Sequence, residues 1–257
     1  MIALTIGVAV AVLLIVLLIL RRKGADNHEH GPIALDFAAN LALAVYLLVL
    51  AYAAVLCRDA ITAASTDATA EAETLTELYW TVAPIPGSGE IRNQIKTYTS
   101  QSITLDWPLM PEDKLSPVPD TTLEGLRASL LRLSPKQEDM RDLHKDALSL
   151  ASQVSHARTI RAEDAGTHLE SIFVVAMLLS GMFVIALPWF NGAKPSGASV
   201  VGDVVRMTVV LFGIVFIQMI SHPYSGASAV EPTAFESAQQ QYNRIDAQFP
   251  VVTTANN

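Results

Sequence analysis

The sequence predicts an all-α polytopic membrane protein, with four transmembrane helices and a helical extramembrane domain between spans two and three. Three observations predict it. Apolar residues make up 51% of the 257-residue chain and charged residues only 16%, against about 25% charged in soluble domains. The apolar residues are gathered into long runs almost free of charge. The polar remainder shows helical periodicity, and no β-rich segment of any length competes with it. This pattern excludes an ordinary soluble enzyme, a disordered chain and a disulfide scaffold. The single cysteine, Cys57, cannot form an intrachain disulfide.

The first run, Ile2–Leu20, holds 19 residues without a charge. At 1.5 Å per residue it spans roughly 28 Å, close to the hydrocarbon thickness. A cleaved signal peptide would carry its positive residues before the run and a small-x-small site after it. Here Arg21, Arg22 and Lys23 follow, and no such site does, so a retained anchor is expected. The second run, Ile33–Cys57, is broken only by Asp36 and Asn40. The third is Ser171–Phe190 and the fourth Val204–Ser221. Ala34, Ala38 and Ala42 on the second span and Gly181 on the third are small enough to let helices approach closely.

Orientation follows from basic residues near the spans. Residues 21–32 carry three and the loop 191–199 carries Lys194. The other side has Arg58, Arg158 and Arg161. This count places both short loops in the cytoplasm, and the large region and both termini outside.

The large region, Arg58 to Leu169, is acidic, with 11 basic and 17 acidic residues. Ile61, Ala64, Ala68, Glu71, Leu75 and Leu78 recur at helical spacing, so the second span is expected to run on into this region. Pro84, Pro86, Gly87 and Gly89 mark a turn. Ile91, Ile95 and Tyr98 then give a short helix, which Trp107-Pro108 and Pro111 break. Thr121-x-x-Glu124 reads as a capping box ahead of Leu126, Leu130 and Leu133. Ser134-Pro135-Lys136-Gln137 reads as a second helix start. From there Met140, Leu143, Ala147, Leu150, Val154 and Ala157 keep a 3–4 rhythm. That helix is expected to reach Gly166 or to pass through it into span three. The 36 residues from His222 onward read as a polar tail.

Few residues point to chemistry. The chain lacks the Gly-x-Ser-x-Gly, Walker, dinucleotide-binding and His-Glu-x-x-His patterns, so no catalytic residue and no cofactor is expected. His28-Glu29-His30, with Asp26, is a weak ligand set on a hydrophilic loop. His144, His156 and His168 recur every 12 residues, which on a regular helix sets each about 120° from the last. No metal site is expected from either. With a net charge of −8 and no basic patch, nucleic-acid binding is not expected.

Polar groups inside apolar runs are costly and therefore informative. Asp36 and Asn40 share one face of span two, and Asp203 and Arg206 share one face at the start of span four. Gln218 lies near that span's end. Two readings stand: a polar pore or cavity lining, or interhelical pairing, in particular Asp36 with Arg206.

Two segments carry a resemblance. One runs from Tyr98 to Asp106-Trp107-Pro108-Leu109-Met110. The other, Ile220-Ser221-His222-Pro223-Tyr224-Ser225-Gly226, follows the last span. With the span order and Glu73-x-x-x-Glu77-Leu78-Tyr79, the chain resembles an uncharacterised bacterial family of bestrophin-like membrane proteins, over almost its whole length. That family usually shows Glu-Trp-Pro and Pro-Phe-x-Gly, where this chain has Asp106 and Tyr224. Bestrophins proper are pentameric anion channels with four spans per chain, a pore passing apolar side chains of the second span, and their large helical part in the cytoplasm. The resemblance therefore implies a homo-oligomeric ion channel, with an orientation opposite to the one the charge count gives. Calcium-gated bestrophins carry an acidic run after the last motif. Here Ala227, Ser228, Ala229 and Val230 follow, and Glu231 alone is too few carboxylates for a Ca²⁺ shell. Asp36, unpaired in a pore, would favour cations. The alternative is a non-transport membrane protein whose helical extramembrane domain binds an unknown protein partner or senses a ligand.

Overall fold

The structure, a computed structural model, describes residues 32–187 and 197–250, with side chains over 37–187 and 200–250. The first predicted span, the His28-Glu29-His30 loop and residues 188–190 of the third span lie outside the described residues. Every described element is helical. In order they are α1 (Pro32–Val82), α2 (Gly89–Gln101), a π-helical turn (Ser102–Asp106), a 3₁₀ turn (Met110–Glu112), α3 (Pro117–Arg132), α4 (Glu138–Ala165), α5 (Ser171–Ala186), α6 (Gly197–Ile220) and α7 (Thr233–Gln248).

Two of the described helices, α1 and α6, are long and apolar enough to cross a membrane. α5 is a shorter apolar helix of 16 residues. The all-helical class thus stands among the described residues, and two of their helices have the length and composition of a membrane span. α1 runs unbroken for 51 residues, far beyond the ~20 that a crossing needs, as the spacing from Ile61 to Leu78 predicts.

The chain forms two compact units. One comprises the described residues up to Leu56 together with Leu169–Ser221. The other comprises Cys57–His168 and the residues from His222. In the first unit α1 buries Ala39, Tyr46 and Ala53, a spacing of seven that keeps one seam turned inward. The Tyr46 hydroxyl donates to the Val210 carbonyl on α6 at 2.8 Å, which satisfies a polar group that lipid could not. The approach depends on two glycines. A Cβ on Gly181 would stand 2.8 Å from Val210 Cγ1, and one on Gly213 only 2.3 Å from Tyr46 Oη. Gly181 is the small residue the sequence singled out. Gly213 matters more and was not singled out, because its role depends on which residue faces it.

In the second unit α1 buries Ala64, Ala68, Glu71, Ala72, Leu75, Leu78, Tyr79 and Val82, and the part of this stripe from Ala72 to Val82 meets Ile91, Ile95 and Tyr98 of α2. It also meets Leu123, Leu126 and Leu130 of α3, and Ala147, Ala151 and Val154 of α4. The turn after α1 holds Gly87 at φ +84°, a left-handed conformation that suits glycine. Three sequence expectations are corrected here. First, α3 starts at Pro117, with Ser116 as its N-cap accepting from Val118 N–H at 3.3 Å. Thr121 lies inside the helix and donates to the Pro117 carbonyl at 3.2 Å. Ser-Pro supplies both a cap and a preset first residue, so it wins over the later capping box. Second, α4 starts at Glu138, where Glu138 and Asp139 complement the helix dipole in the first turn. The Ser134-Pro135 step stays in the connection. Third, of the two courses open to α4 the structure takes the shorter: it reaches Ala165 with Gly166 as its C-cap, and the continuation into span three is replaced by a new start of α5 at Ser171.

The tail also differs from its polar reading. Its helix α7 buries Phe235, Ala238, Tyr242 and Ile245, and these residues join the core of the second unit. The 3-4-3 spacing was present in the sequence but sparse among glutamines and asparagines.

Gly213→Ala should destabilise the first unit by about 1–3 kcal/mol, the usual cost of overpacking. Its methyl would displace Tyr46 Oη from the Val210 carbonyl. Thermal unfolding of the detergent-solubilised protein measures this, and a transition unchanged from wild type would refute the tight approach.

Candidate functional site

The residues of the first motif sit where α2 changes pitch. Its last turn opens into the π-helical turn, with Trp107 N–H bonding the Ser102 carbonyl at 3.2 Å. Pro108 has no N–H to continue an α-helical ladder, and such single π turns often mark functional positions. The turn brings the Asp106 carboxylate into the interior, with no solvent exposure.

Asp106 there meets two arginines of α4. Its Oδ2 accepts from Arg158 Nη1 at 2.5 Å and Arg161 Nη1 at 3.2 Å, and its Oδ1 accepts from Ser116 N–H at 2.9 Å. Arg158 also donates to the Ser116 carbonyl at 2.8 Å. Arg161 closes a bidentate pair with Glu71 of α1, Nε to Oε2 at 2.7 Å and Nη2 to Oε1 at 3.2 Å. Tyr98 donates to Glu71 Oε1 at 2.5 Å. Two carboxylates thus face two guanidinium groups. Glu71, Asp106 and Arg161 are wholly buried and Arg158 almost so. Burial alone would lower the arginine pKa values, but Glu71, Tyr98 and Asp106 around Arg161, and Asp106 and Tyr98 beside Arg158, more than reverse this. Burial, then the Glu71 charge, pushes Tyr98 up. The two motifs meet at the same place. The Arg161 guanidinium lies 5.2 Å from the Trp107 ring centre and 5.3 Å from that of Phe235, in cation–π contact with both. Trp107 stands edge-on to Tyr224, with centroids 6.3 Å apart, and its Nε1–H donates to the Val230 carbonyl at 3.0 Å.

The second motif forms a turn straight after α6. Gly226 takes φ +82°, and Val230 N–H returns to the Pro223 carbonyl at 2.9 Å. His222 Nδ1 accepts the Tyr224 N–H at 3.0 Å. His222 Nε2 lies 3.1 Å from Asp113 Oδ1 and 3.0 Å from the Ala165 carbonyl. His168 Nε2 lies 3.1 Å from Asp113 Oδ2. Desolvation opposes the charge on Asp113, but His168 and His222 together hold its carboxyl below the usual range.

The predicted site residues fare unequally. Asp106, Trp107, His222, Pro223, Tyr224 and Gly226 come together as described, while Pro108 is exposed beside them. The Asp36 side chain lies outside the described residues. Asn40 and Gln218 are exposed. Arg206 pairs with Asp203 of its own helix at 3.4 Å. Arg158 and Arg161, counted above as membrane-flanking cations, are inside the second unit. Of the carboxylates before Tyr79, Glu73 and Glu77 are exposed and Glu71 is the buried one. Glu71 did stand on the apolar stripe in the sequence, which was its signal. His144 bonds the Leu130 carbonyl at 2.7 Å, and His156 is exposed. His168, once helix α4 has ended, reaches Asp113 and His222 instead of continuing the 12-residue series.

A second ion group fixes α7. Asp246 accepts from Tyr79 Oη at 2.6 Å and pairs with Arg92 and Lys96. Partial burial works against its charge, but Lys96, Tyr79 and Arg92 together keep its pKa low.

Glu71→Leu and Arg161→Met should each destabilise the protein by roughly 3–5 kcal/mol, because each strands a buried charge. The double variant leaves Asp106 with Arg158 as a neutral pair, so its loss should fall well short of the sum. Chemical denaturation of the four proteins measures this, and additive losses would refute the coupling. Asp164 gives a pH test. Burial, then Asp67 and Glu163, raises its pKa to about 6, and its Oδ2 has no partner. The folded state therefore keeps a proton that the unfolded chain releases between about pH 4 and 6, so stability falls as pH rises through that window. Asp164→Asn should raise the melting temperature at pH 7.5 and leave it unchanged at pH 4. An equal effect at both pH values would refute the shift.

The family model described as Bestrophin-like domain matches residues 6–235. No curated protein and no solved structure matches the chain.

Proposed function

The chain belongs to the bestrophin-like family, and from that premise we propose that it is a four-span, homo-oligomeric ion channel of the bacterial cytoplasmic membrane. One observation carries the reading. Within the first unit, α1 presents an exposed apolar stripe at helical spacing, of Phe37, Leu41, Val45, Leu48, Tyr52 and Val55, with Tyr52 beside the Phe173 ring. Phe37 is 69% and Leu48 70% exposed. This is the second span, whose apolar side chains border the pore in bestrophins proper. Copies arranged around an axis would line it with this stripe, and the rest of the apolar surface would face lipid.

The buried network of the second unit supports this as a scaffold rather than as a reaction centre. Its two positive and two negative groups satisfy one another, which leaves no charge free for a substrate. The charge count near the spans favours a second unit outside the cytoplasm.

The competing reading is a non-transport membrane protein that uses the second unit to bind a protein partner or sense a ligand. The measurement that separates them is ion flux through purified protein in liposomes, with potassium and chloride gradients imposed separately. The channel predicts flux, and Asp36→Ala should shift selectivity from potassium toward chloride, since a carboxylate at a pore favours cations. Folded protein passing neither ion would overturn the channel reading in favour of the partner-binding one.

A further inference from the structure

We propose that Asp113, His168 and His222 form a binding site for a divalent transition-metal ion of the zinc class. The three come from separate segments: the residue after the 3₁₀ turn, the link after α4 and the first residue beyond Ser221. Their ligand atoms lie within 4.8 Å of one another. Each imidazole Nε2 lies 3.1 Å from an oxygen of Asp113. Ligands about 2.0–2.1 Å from a shared tetrahedral ion stand roughly 3.4 Å apart, so small side-chain rotations would complete the set.

The backbone supports the placement. Asp113 is the one non-glycine residue with positive φ among the described residues, at 63°. Such a conformation costs energy, and is found where surrounding structure or function requires it. Here it supplies one carboxylate to both rings. Two imidazoles and a single carboxylate suit zinc, cobalt or nickel. Calcium and magnesium favour more oxygen ligands. Asp113 and His168 are half exposed, which leaves an entry path and room for water in the remaining position.

Filling the site has a definite proton balance. In the metal-free arrangement His222 Nδ1 accepts the Tyr224 N–H, so the ring proton of neutral His222 is on Nε2, facing Asp113 and the Ala165 carbonyl. For an ion to bind, Nε2 must present a free lone pair, so the ring's single proton leaves Nε2 and is carried on Nδ1. There it opposes the Tyr224 N–H, and that hydrogen bond is given up. The metal is thereby coupled to the Pro223–Gly226 turn.

The test is isothermal titration of ZnCl₂ into the full-length protein, purified in detergent without a polyhistidine tag and treated with chelator. One equivalent should bind. His168→Ala and Asp113→Gly should each weaken it by at least the roughly 10- to 100-fold that loss of a mere outer-shell partner costs. Glycine at 113 tolerates the positive φ, and both variants should retain the wild-type circular dichroism. Replacing His28 and His30 by alanine should leave this equivalent in place. The proposal is overturned if the wild type takes up no zinc, if His168→Ala binds as tightly as the wild type, or if uptake vanishes with His28 and His30.

Discussion

The burial of Arg161 is the constraint around which the second unit is built. A guanidinium cannot be taken out of water unless its charge and its donors are met. Glu71 from α1 meets one edge, Asp106 from the π-helical turn another, and the rings of Trp107 and Phe235 flank it. Four separate stretches of chain must therefore arrive at one place. The requirement is stringent because the same carboxylates also serve Arg158, Tyr98 and the Ser116 amide. Removing a member leaves its partners charged in a dry interior.

The helical class and the order of elements were legible in the sequence because both depend on local periodicity. The run from Ala64 to Leu78 announces its helix, and Pro84 and Gly87 announce its end. The motifs Asp106-Trp107-Pro108 and His222 to Gly226 were also visible, though not the contact between them. That contact depends on Arg158 and Arg161, which look like exposed or membrane-flanking cations in a one-dimensional reading. In fact they continue the buried seam Ala147, Ala151, Val154, and charge masked the periodicity. The helix starts failed for a different reason. Several Ser, Thr and Pro residues offer competing caps within a few residues, and tertiary packing chooses among them.

His168 shows how a boundary error changes a chemical conclusion. On a helix running through Gly166, the three histidines diverge and a shared site is excluded. With the helix ended at Ala165, His168 is free of that phase and stands beside a residue 54 positions later in the chain, His222. For Arg206, which the sequence offered to Asp36, the described residues hold a local partner. Arg206 has Asp203 one turn away on its own helix, a partner that needs no second span to arrive.

The π-helical turn imposes one more condition on this chain. A π turn fits an additional residue into the space of an α-helical turn, and so rotates everything after it by about 100° relative to an uninterrupted helix. Asp106 faces inward because of that rotation. Thr104 and Leu105, both exposed, are therefore free to vary in kind but not in number. Losing either would restore an ordinary pitch and swing the carboxylate away from its arginines. Sequence drift in this stretch is constrained by length rather than by composition, so an insertion or deletion here would be more damaging than several substitutions together.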